Sequence, residues 1–408
     1  MSNKTFSRFN GILNISATHL LILGAAIRLL PAAFTAHPTD IISWMTVGSS
    51  IFHGQNPYAL SSFGLVYPPL WGLICGVAYA SFVITQSFFV FNFFIKLPII
   101  LADLALAEYI RKFVLSKTGK ERKSKEAMIL FLFNPVAIIL SGIWGMFDSI
   151  PVFLVLLSTI FLYRRQYVRS SLIFGIAIAF KGFYPAMLLP LFLYLVKDEL
   201  KVRGLLQYLA LSVIVPFVVS APFLVANATS FFNMTVIHLE QRQLSNLTYW
   251  FAIRLTFFQN QNLASFVSFV LFAILFPLAY IYLLKQAKLK IVTLSISQVI
   301  LAFFLTSPTV NEQYLVWLLV PFVLYATIEG QRVKLFLYAL TAIDTVFILA
   351  NTGPGFLSPL NLDFGPLQDL WSITPVLVFC GTLFSVVSLL TFRKIIKHSS
   401  PIVNEMEQ

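Results

Sequence analysis

Apolar runs of 15 to 25 residues recur along the whole chain, broken by short polar stretches. Twelve are legible: 12–34, 88–114, 127–143, 148–163, 169–181, 184–196, 204–226, 264–284, 291–306, 314–328, 334–350 and 372–392. A helix crossing a bilayer upright needs ~20 apolar residues, so the shorter runs predict tilted, broken or shallow helices. A different pattern follows the first run. Ile41, Trp44, Met45, Gly48, Ile51 and Phe52 recur at i, i+3, i+4, i+7, i+10 and i+11, ahead of Gly54 and Pro57. That spacing predicts an amphipathic helix lying on a membrane surface, opened near Asp40. The pattern predicts an all-α polytopic membrane protein of about twelve transmembrane helices, forming a single integral membrane domain over 1–408.

Composition agrees. Hydrophobic residues make up 58% of the chain and charged ones 11%, where soluble domains carry about 25% charged residues. No cleavable signal pattern opens the chain, so the first run reads as a retained helix. The formal charge of +12 would suit a nucleic-acid binder, but its distribution points elsewhere. Seven cations lie between Arg111 and Lys125, three each at 164–169, 197–203, 285–290 and 393–397, with Lys4, Arg8, Arg332 and Lys334 besides. With a cytoplasmic N-terminus, 23 of the 28 Lys and Arg fall on the cytoplasmic side, as the positive-inside rule requires. Nucleic acid is therefore not an expected partner.

The same rule bears on "YPPLWGLICGVAYASFVI". If 67–84 spanned, the basic loop 115–126 would move outside, so 67–84 reads as a re-entrant or interfacial helix entered at Pro68 and Pro69. The exterior side then gathers a first loop over 35–87, the turn 144–148, the stretch 180–185, a large loop over 227–262, the stretch 306–317 and a Gly/Pro-rich loop over 351–371. Arg28, Lys96, Lys181, Arg242 and Arg254 stand outside the cytoplasmic tally. At membrane depth each costs ~2.5–3.5 kcal/mol and should face a cavity or a counter-charge.

Taken singly, these residues have ordinary readings. Asp40 reads equally well as a helix N-cap. Lys96 and Asp103, two turns apart on one face, read as a cation and its counter-charge. "FNPVAII" reads as a proline kink. His37, His53 and His238 show no metal-ligand spacing, and Cys75 and Cys380 no disulfide framework. Asn227, Asn233 and Asn246 head glycosylation sequons. Asp344 has no evident role.

Their order is more informative. "TDI" at 39–41 followed by Gly54-x-Asn-Pro-Tyr58, "YPPLWG", Lys96-x6-Asp103, "FNPVAIILSGIWGMFDSI", "AFKGFYPAMLLP", "HLEQR" and "NEQYLVWLLVP" succeed one another between about Arg28 and Pro321. This succession resembles the GT-C type glycosyltransferases, nearest the catalytic subunit of GPI mannosyltransferase I and its prokaryotic relatives. The resemblance implies a GT-C bundle that transfers a sugar, mannose in the relatives, from a polyprenyl- or dolichyl-phosphate donor to a lipid-linked or glycan acceptor with inversion. It also implies an active site on the non-cytoplasmic face of a prokaryotic plasma membrane or endoplasmic reticulum, and allows a small accessory membrane subunit.

The resemblance makes Asp40 the general base; the charge that develops on the leaving phosphate then makes Lys181, Arg242 and Arg28 the candidate donor-phosphate ligands. Tyr58, Asp148, His238, Glu240, Asn311, Glu312, Gln313 and Tyr314 would contact the sugars, and Trp250 and Trp317 would stack on them. Lys96, Asp103, Pro68 and Pro69 would be structural. One departure matters. The family's Asp-x-Asp is here Asp40-Ile41-Ile42, so a divalent metal, which the second Asp would help to hold, becomes doubtful. The absence of G-x-G-x-x-G argues against a nucleotide-sugar site. The competing reading is a multi-spanning transporter or lipid flippase.

Overall fold

In lipid every backbone N–H and C=O needs an internal partner, so apolar runs fold as helices. The computed structural model describes residues 13–240, 247–258, 260–329, 331–360 and 374–404, and among them there is no strand. In chain order the helices are α1 (Ala17–Ala32), α2 (Pro38–Phe52), α3 (Pro69–Thr85), α4 (Phe88–Thr118), α5 (Glu121–Leu132) and α6 (Pro135–Ile138). Then come α7 (Ser149–Tyr163), α8 (Tyr167–Phe180), α9 (Phe183–Val196), α10 (Val202–Glu240) and α11 (Tyr249–Phe257). The last are α12 (Gln261–Gln286), α13 (Val292–Thr306), α14 (Leu315–Glu329), α15 (Gln331–Thr352) and α16 (Thr374–Asn404). Each of the twelve expected runs falls on one of these helices, with α5 and α6 sharing a run. Five helices are long and apolar enough to cross a membrane by length and composition alone, or six if the α5–α6 pair, bent by 52°, is one span. The remaining expected spans are shorter apolar helices, as is α3.

The breaks have local causes. At the α5–α6 bend Pro135 occupies the first position of α6, where a missing N–H costs nothing. The Asn134 side chain accepts from Val136 N at 3.0 Å and donates to Thr341 Oγ1 at 3.0 Å. The α6 segment continues as one π-turn over Ile139–Trp144, ended by Gly145 at φ +91°. In α10 the helix breaks at Asn227 (φ −166°, ψ 89°), next to the expected end of that run at 226.

The described residues define two opposite ends. At one end Lys117 lies over Tyr163 at 4.5 Å, Arg165 pairs with Glu199 at 3.4 Å, and Lys334 pairs with Glu126 at 2.5 Å. Lys125 donates there to Leu13 O at 3.3 Å. This is the basic end. The other end gathers the turn after α1, the start of α2, the 144–148 turn, Lys181, the start of α14 and the 353–360 segment.

Helices α2 and α3 lie side by side and run the same way. Trp44 meets Trp71 at 5.4 Å, a Cβ on Gly48 would lie 2.6 Å from Cys75 O, and Phe52 meets Tyr79 at 5.8 Å. Partners thus advance together along both helices. Two glycines, Gly48 and Gly76, permit this approach; a Cβ on Gly76 would lie 2.5 Å from Ile51 Cγ2. Both ends of α3 belong to the end away from the basic one. Pro68, just before α3, lies against Gly182. At its other end Gln86, with φ +53°, turns the chain into α4. There Phe89 meets Phe34 at 5.7 Å and Asn92 donates to Ala33 O and Thr35 O at 2.9 and 2.8 Å. The helix therefore lies across this end of the bundle and does not run through it.

Buried charges tie α1 to its neighbours. Arg28 Nε donates to Asp103 Oδ2 at 2.8 Å and Ser141 Oγ at 3.1 Å, and Nη1 donates to Gly24 O and Leu132 O at 3.2 and 2.9 Å. Both Arg28 and Asp103 are fully buried. Two expectations are corrected here. The counter-charge of Asp103 is Arg28, not Lys96. And Arg28, expected to hold phosphate, is spent inside the bundle. The reason is packing: a Cβ on Gly142 would lie 2.9 Å from Arg28 Cα, so the π-turn presses on α1 and seals the guanidinium.

Removing one partner of a buried pair leaves the other uncompensated, at ~3–5 kcal/mol, whereas replacing both by apolar residues is often neutral. Arg28→Ala should therefore strongly lower the thermal unfolding midpoint of the detergent-solubilised protein, and Arg28→Met/Asp103→Leu should recover most of it. A single variant as stable as the double would show that the pair carries no such constraint.

Candidate active site

Asp40 sits in the first turn of α2, with Pro38 at the first helical position. The cap is not Asp40, as one reading had it, but His37, whose Nδ1 accepts from Asp40 N at 3.3 Å. Relieved of capping, the carboxylate is held from another element. Trp144 Nε1 donates to Asp40 Oδ2 at 2.7 Å. His37 Nδ1 lies 3.7 Å from the same oxygen, and the Asp40 side chain remains 28% exposed. A part-exposed acid with one fixed oxygen can accept a proton from a bound molecule.

Trp144 is itself held on several sides. The His37 ring stacks on it at 4.5 Å and 14°, and Phe356 meets it at 5.7 Å. His37 N donates to Trp144 O at 3.2 Å and Ala36 N to Phe356 O at 2.9 Å. Beneath lies Lys96, fully buried, whose ammonium donates to Ala32 O at 3.0 Å, Ile143 O at 2.8 Å and the Thr35 carbonyl. Lys96 thus binds the end of α1 to the end of the π-turn. A π-turn is uncommon and concentrates at functional sites; here it delivers Trp144 to Asp40.

A second cluster lies four residues on. Lys181 Nζ donates to Asp148 Oδ2 at 2.6 Å and Oδ1 at 2.8 Å, and Trp317 Nε1 donates to Asp148 Oδ1 at 2.5 Å. Tyr67, Phe147, Tyr314 and Trp317 surround the ammonium with ring centroids 5.4 to 5.7 Å away. Tyr314 stacks on Trp317 at 3.8 Å. Phe147 stacks on Trp71 at 4.3 Å, and Trp71 meets Trp44, one turn along from Asp40. The clusters are therefore joined by aromatic contacts.

Glu312, in a short 3-10 turn before α14, is part-buried and accepts from Asn351 Nδ2 at 3.2 Å. Burial pushes its carboxyl above the usual range. A backbone N–H, His37 and Asn351 oppose that shift, and the charge of Asp40 adds to it, which puts Glu312 within electrostatic reach of the Asp40 pair.

The structure thus brings Asp40, Asp148, Lys181, Glu312 and Tyr314 to one end. Gln313 is buried beside them and Asn311 precedes their turn. Tyr58 is not free to meet a sugar: its hydroxyl donates to Tyr67 O at 2.7 Å and its ring packs on Phe231 at 4.6 Å. Pro68 and Pro69 open α3 as expected. Arg242 lies outside the described residues, as do the side chains of His238 and Glu240 at the end of α10. Sequence reasoning missed the roles of His37 and Trp144. The "WGMFD" turn carried the signal, since a polar turn beside an indole is a place to seek a donor for a lone acid. Among the described residues no group of three or more His, Cys, Asp or Glu could hold a metal ion.

Gly145 closes the π-turn at φ +91°, where an added Cβ would also lie 3.0 Å from Lys96 Cε. Gly145→Ala should destabilise the solubilised protein by roughly 1–3 kcal/mol, measured by thermal unfolding. An unchanged midpoint would mean that the turn has a second acceptable geometry.

No family model matches the chain. Solved structures do. ArnT from Cupriavidus metallidurans in the apo state superposes with a TM-score of 0.54 at 13% identity, over 94% of this chain and 76% of that one. The same protein bound to undecaprenyl phosphate gives 0.50 at 14% identity, over 98% and 78%. At such identity the likeness speaks for architecture alone: the chain shares the multi-span all-helical fold of ArnT.

Proposed function

We propose that this protein is an inverting glycosyltransferase that takes a sugar from a polyprenyl-phosphate donor. The observation that carries the reading is the Asp40 carboxylate, part-exposed and fixed by Trp144 at 2.7 Å, at the end of a GT-C bundle away from its basic loops. The acceptor hydroxyl oxygen attacks C1 of the donor sugar and the C1–O bond to phosphate breaks. The electron pair of that bond leaves with the lipid phosphate. Asp40 takes the hydroxyl proton. Such a base contributes typically 10²–10⁴-fold.

The leaving phosphate gains charge as the bond breaks, so fixed cations stabilise the transition state above the ground state. Lys181, aimed by Asp148 and Trp317, is the candidate among the described residues, and Arg242 the second. Arg28 is withdrawn from that role. Glu312 and Asn311 would orient sugar hydroxyls, and Trp317 and Tyr314 would offer a stacking face. Ile42 stands where a second carboxylate would help to hold a metal, and the proposed step needs none. Mannose is the sugar its motifs suggest, and the exterior leaflet the site its cation distribution suggests.

Purified protein in liposomes, given radiolabelled polyprenyl-phosphate-mannose and -glucose with lipid acceptors, should transfer sugar. Asp40→Asn should lower transfer by ~10²–10⁴-fold, while the asparagine oxygen still accepts from Trp144. Undiminished transfer by this variant would sink the base assignment. Lipid movement without transfer would make the protein a flippase instead.

Single cysteines placed at Ser61 and Lys120, both exposed, should react with an impermeant thiol reagent from opposite sides of a sealed vesicle. Labelling from one side would overturn the exterior placement of the Asp40 end.

A further inference from the structure

The outer face of α2 carries chemistry that the transfer step does not use. Thr39, Ser43, Thr46 and Ser50 follow one another at i, i+4, i+7 and i+11, a spacing that sets four hydroxyls on one helix face. Thr39 is exposed and Ser43 and Thr46 are partly so. The stripe begins beside Asp40. It ends in a cavity of about 300 Å³ whose lining joins Thr46, Ser49, Ser50, Gln55 and Tyr79 to the apolar Met45 and Leu60, which is at the lower limit of ligand-pocket size.

Ser50 makes this more than a wet surface. It is 3% exposed, yet its hydroxyl has no hydrogen-bond partner. Other helical hydroxyls of this chain fold back on the carbonyl four residues earlier, as Ser141 does on Ala137 O at 2.7 Å and Thr159 on Val155 O at 2.8 Å. Ser50 does not, and a buried hydroxyl left without a partner costs free energy that a ligand could relieve. The lining also selects a chemistry. Among the described residues its lining holds no Lys, Arg, Asp or Glu, so these residues match neither an anion nor a cation. Hydroxyls, one amide and one phenol ring suit a neutral polyol.

We infer that this cavity is a remote acceptor subsite for a neutral saccharide, and that the acceptor is an oligosaccharide lying along the hydroxyl stripe with its reacting sugar at Asp40. Ten residues of helix separate Asp40 from Ser50, ~15 Å along the axis, so a chain of several sugars is needed to reach both. The inference rests on the glycosyltransferase reading and specifies its acceptor.

The test uses the full chain in nanodiscs carrying Asp40→Asn, so that binding is read without turnover. Saturation-transfer NMR follows methyl mannoside and neutral manno-oligosaccharides of increasing length, each with and without an attached alkyl chain. Glucose 6-phosphate and glucosamine serve as charged controls. Affinity should rise with length, and Thr46→Val/Ser50→Ala should weaken the long ligands roughly tenfold, about 1.4 kcal/mol, leaving the monosaccharide and the unfolding midpoint unchanged. With active protein the same pair should raise KM for long acceptors and leave kcat alone. A length dependence seen only with the alkyl chain attached assigns the gain to lipid and overturns the subsite. So does affinity independent of length, insensitivity to the pair, or equal binding of the charged sugars. Length-dependent binding without any transfer by the active protein would keep the saccharide site and remove the enzyme reading; transfer without length dependence would do the reverse.

Discussion

The buried ammonium of Lys96 fixes where everything else at this end can stand. It reaches carbonyls from two elements more than a hundred residues apart in sequence, the end of α1 and the end of the π-turn. An ammonium has three donors and no tolerance for an apolar cavity, so those carbonyls are drawn together around it. One of them belongs to Ile143, and the next residue is Trp144. The charge therefore sets the position of the indole, and the indole sets that of the Asp40 oxygen. Gly145 is the local condition for this, since its left-handed backbone and missing Cβ leave room for the lysine stem.

A comparable logic holds one layer deeper and one layer out. Arg28 and Asp103 neutralise each other in the interior, and Lys181 and Asp148 do so nearer the site. Three of the five cations outside the basic end are thereby accounted for by partners of definite geometry. The pairs differ in use. Arg28 is sealed by the π-turn, so its charge serves the fold. Lys181 is ringed by aromatic faces and shares Asp148 with an indole donor.

The helices were legible because lipid leaves the backbone few alternatives, and the prolines and glycines that break them act locally. The bend at Pro135 and the break beside 226 could both be read from the chain. Partner choice could not. Lys96 and Asp103 share a helix face, which made them look like a pair, but the partner of each comes from another helix at a sequence distance of tens of residues. Periodicity reports which face a residue is on; it does not report which helix meets that face. The same limit hid Trp144 from Asp40, 104 residues apart, and let Asp40 be read as a cap when His37, three residues earlier, takes that duty. Tyr58 shows the converse. Its motif marked it as a sugar contact, while the fold spends its hydroxyl on closing the loop over 53–68.

Asp344 extends the argument to a group that no motif marked. It is fully buried in α15, and neither carboxylate oxygen has a hydrogen-bond partner. An ionised carboxylate in that setting would cost more than a single helix contact returns. Two turns further along the same helix, Asn351 donates to Glu312, which lies within the field of both Asp344 and Asp40. Three carboxyls are thus graded from the part-exposed Asp40, through the part-buried Glu312, to the sealed Asp344. Of the three, Asp40 alone joins solvent access to an oxygen fixed by an indole N–H, which is where the proposed reaction needs a carboxylate.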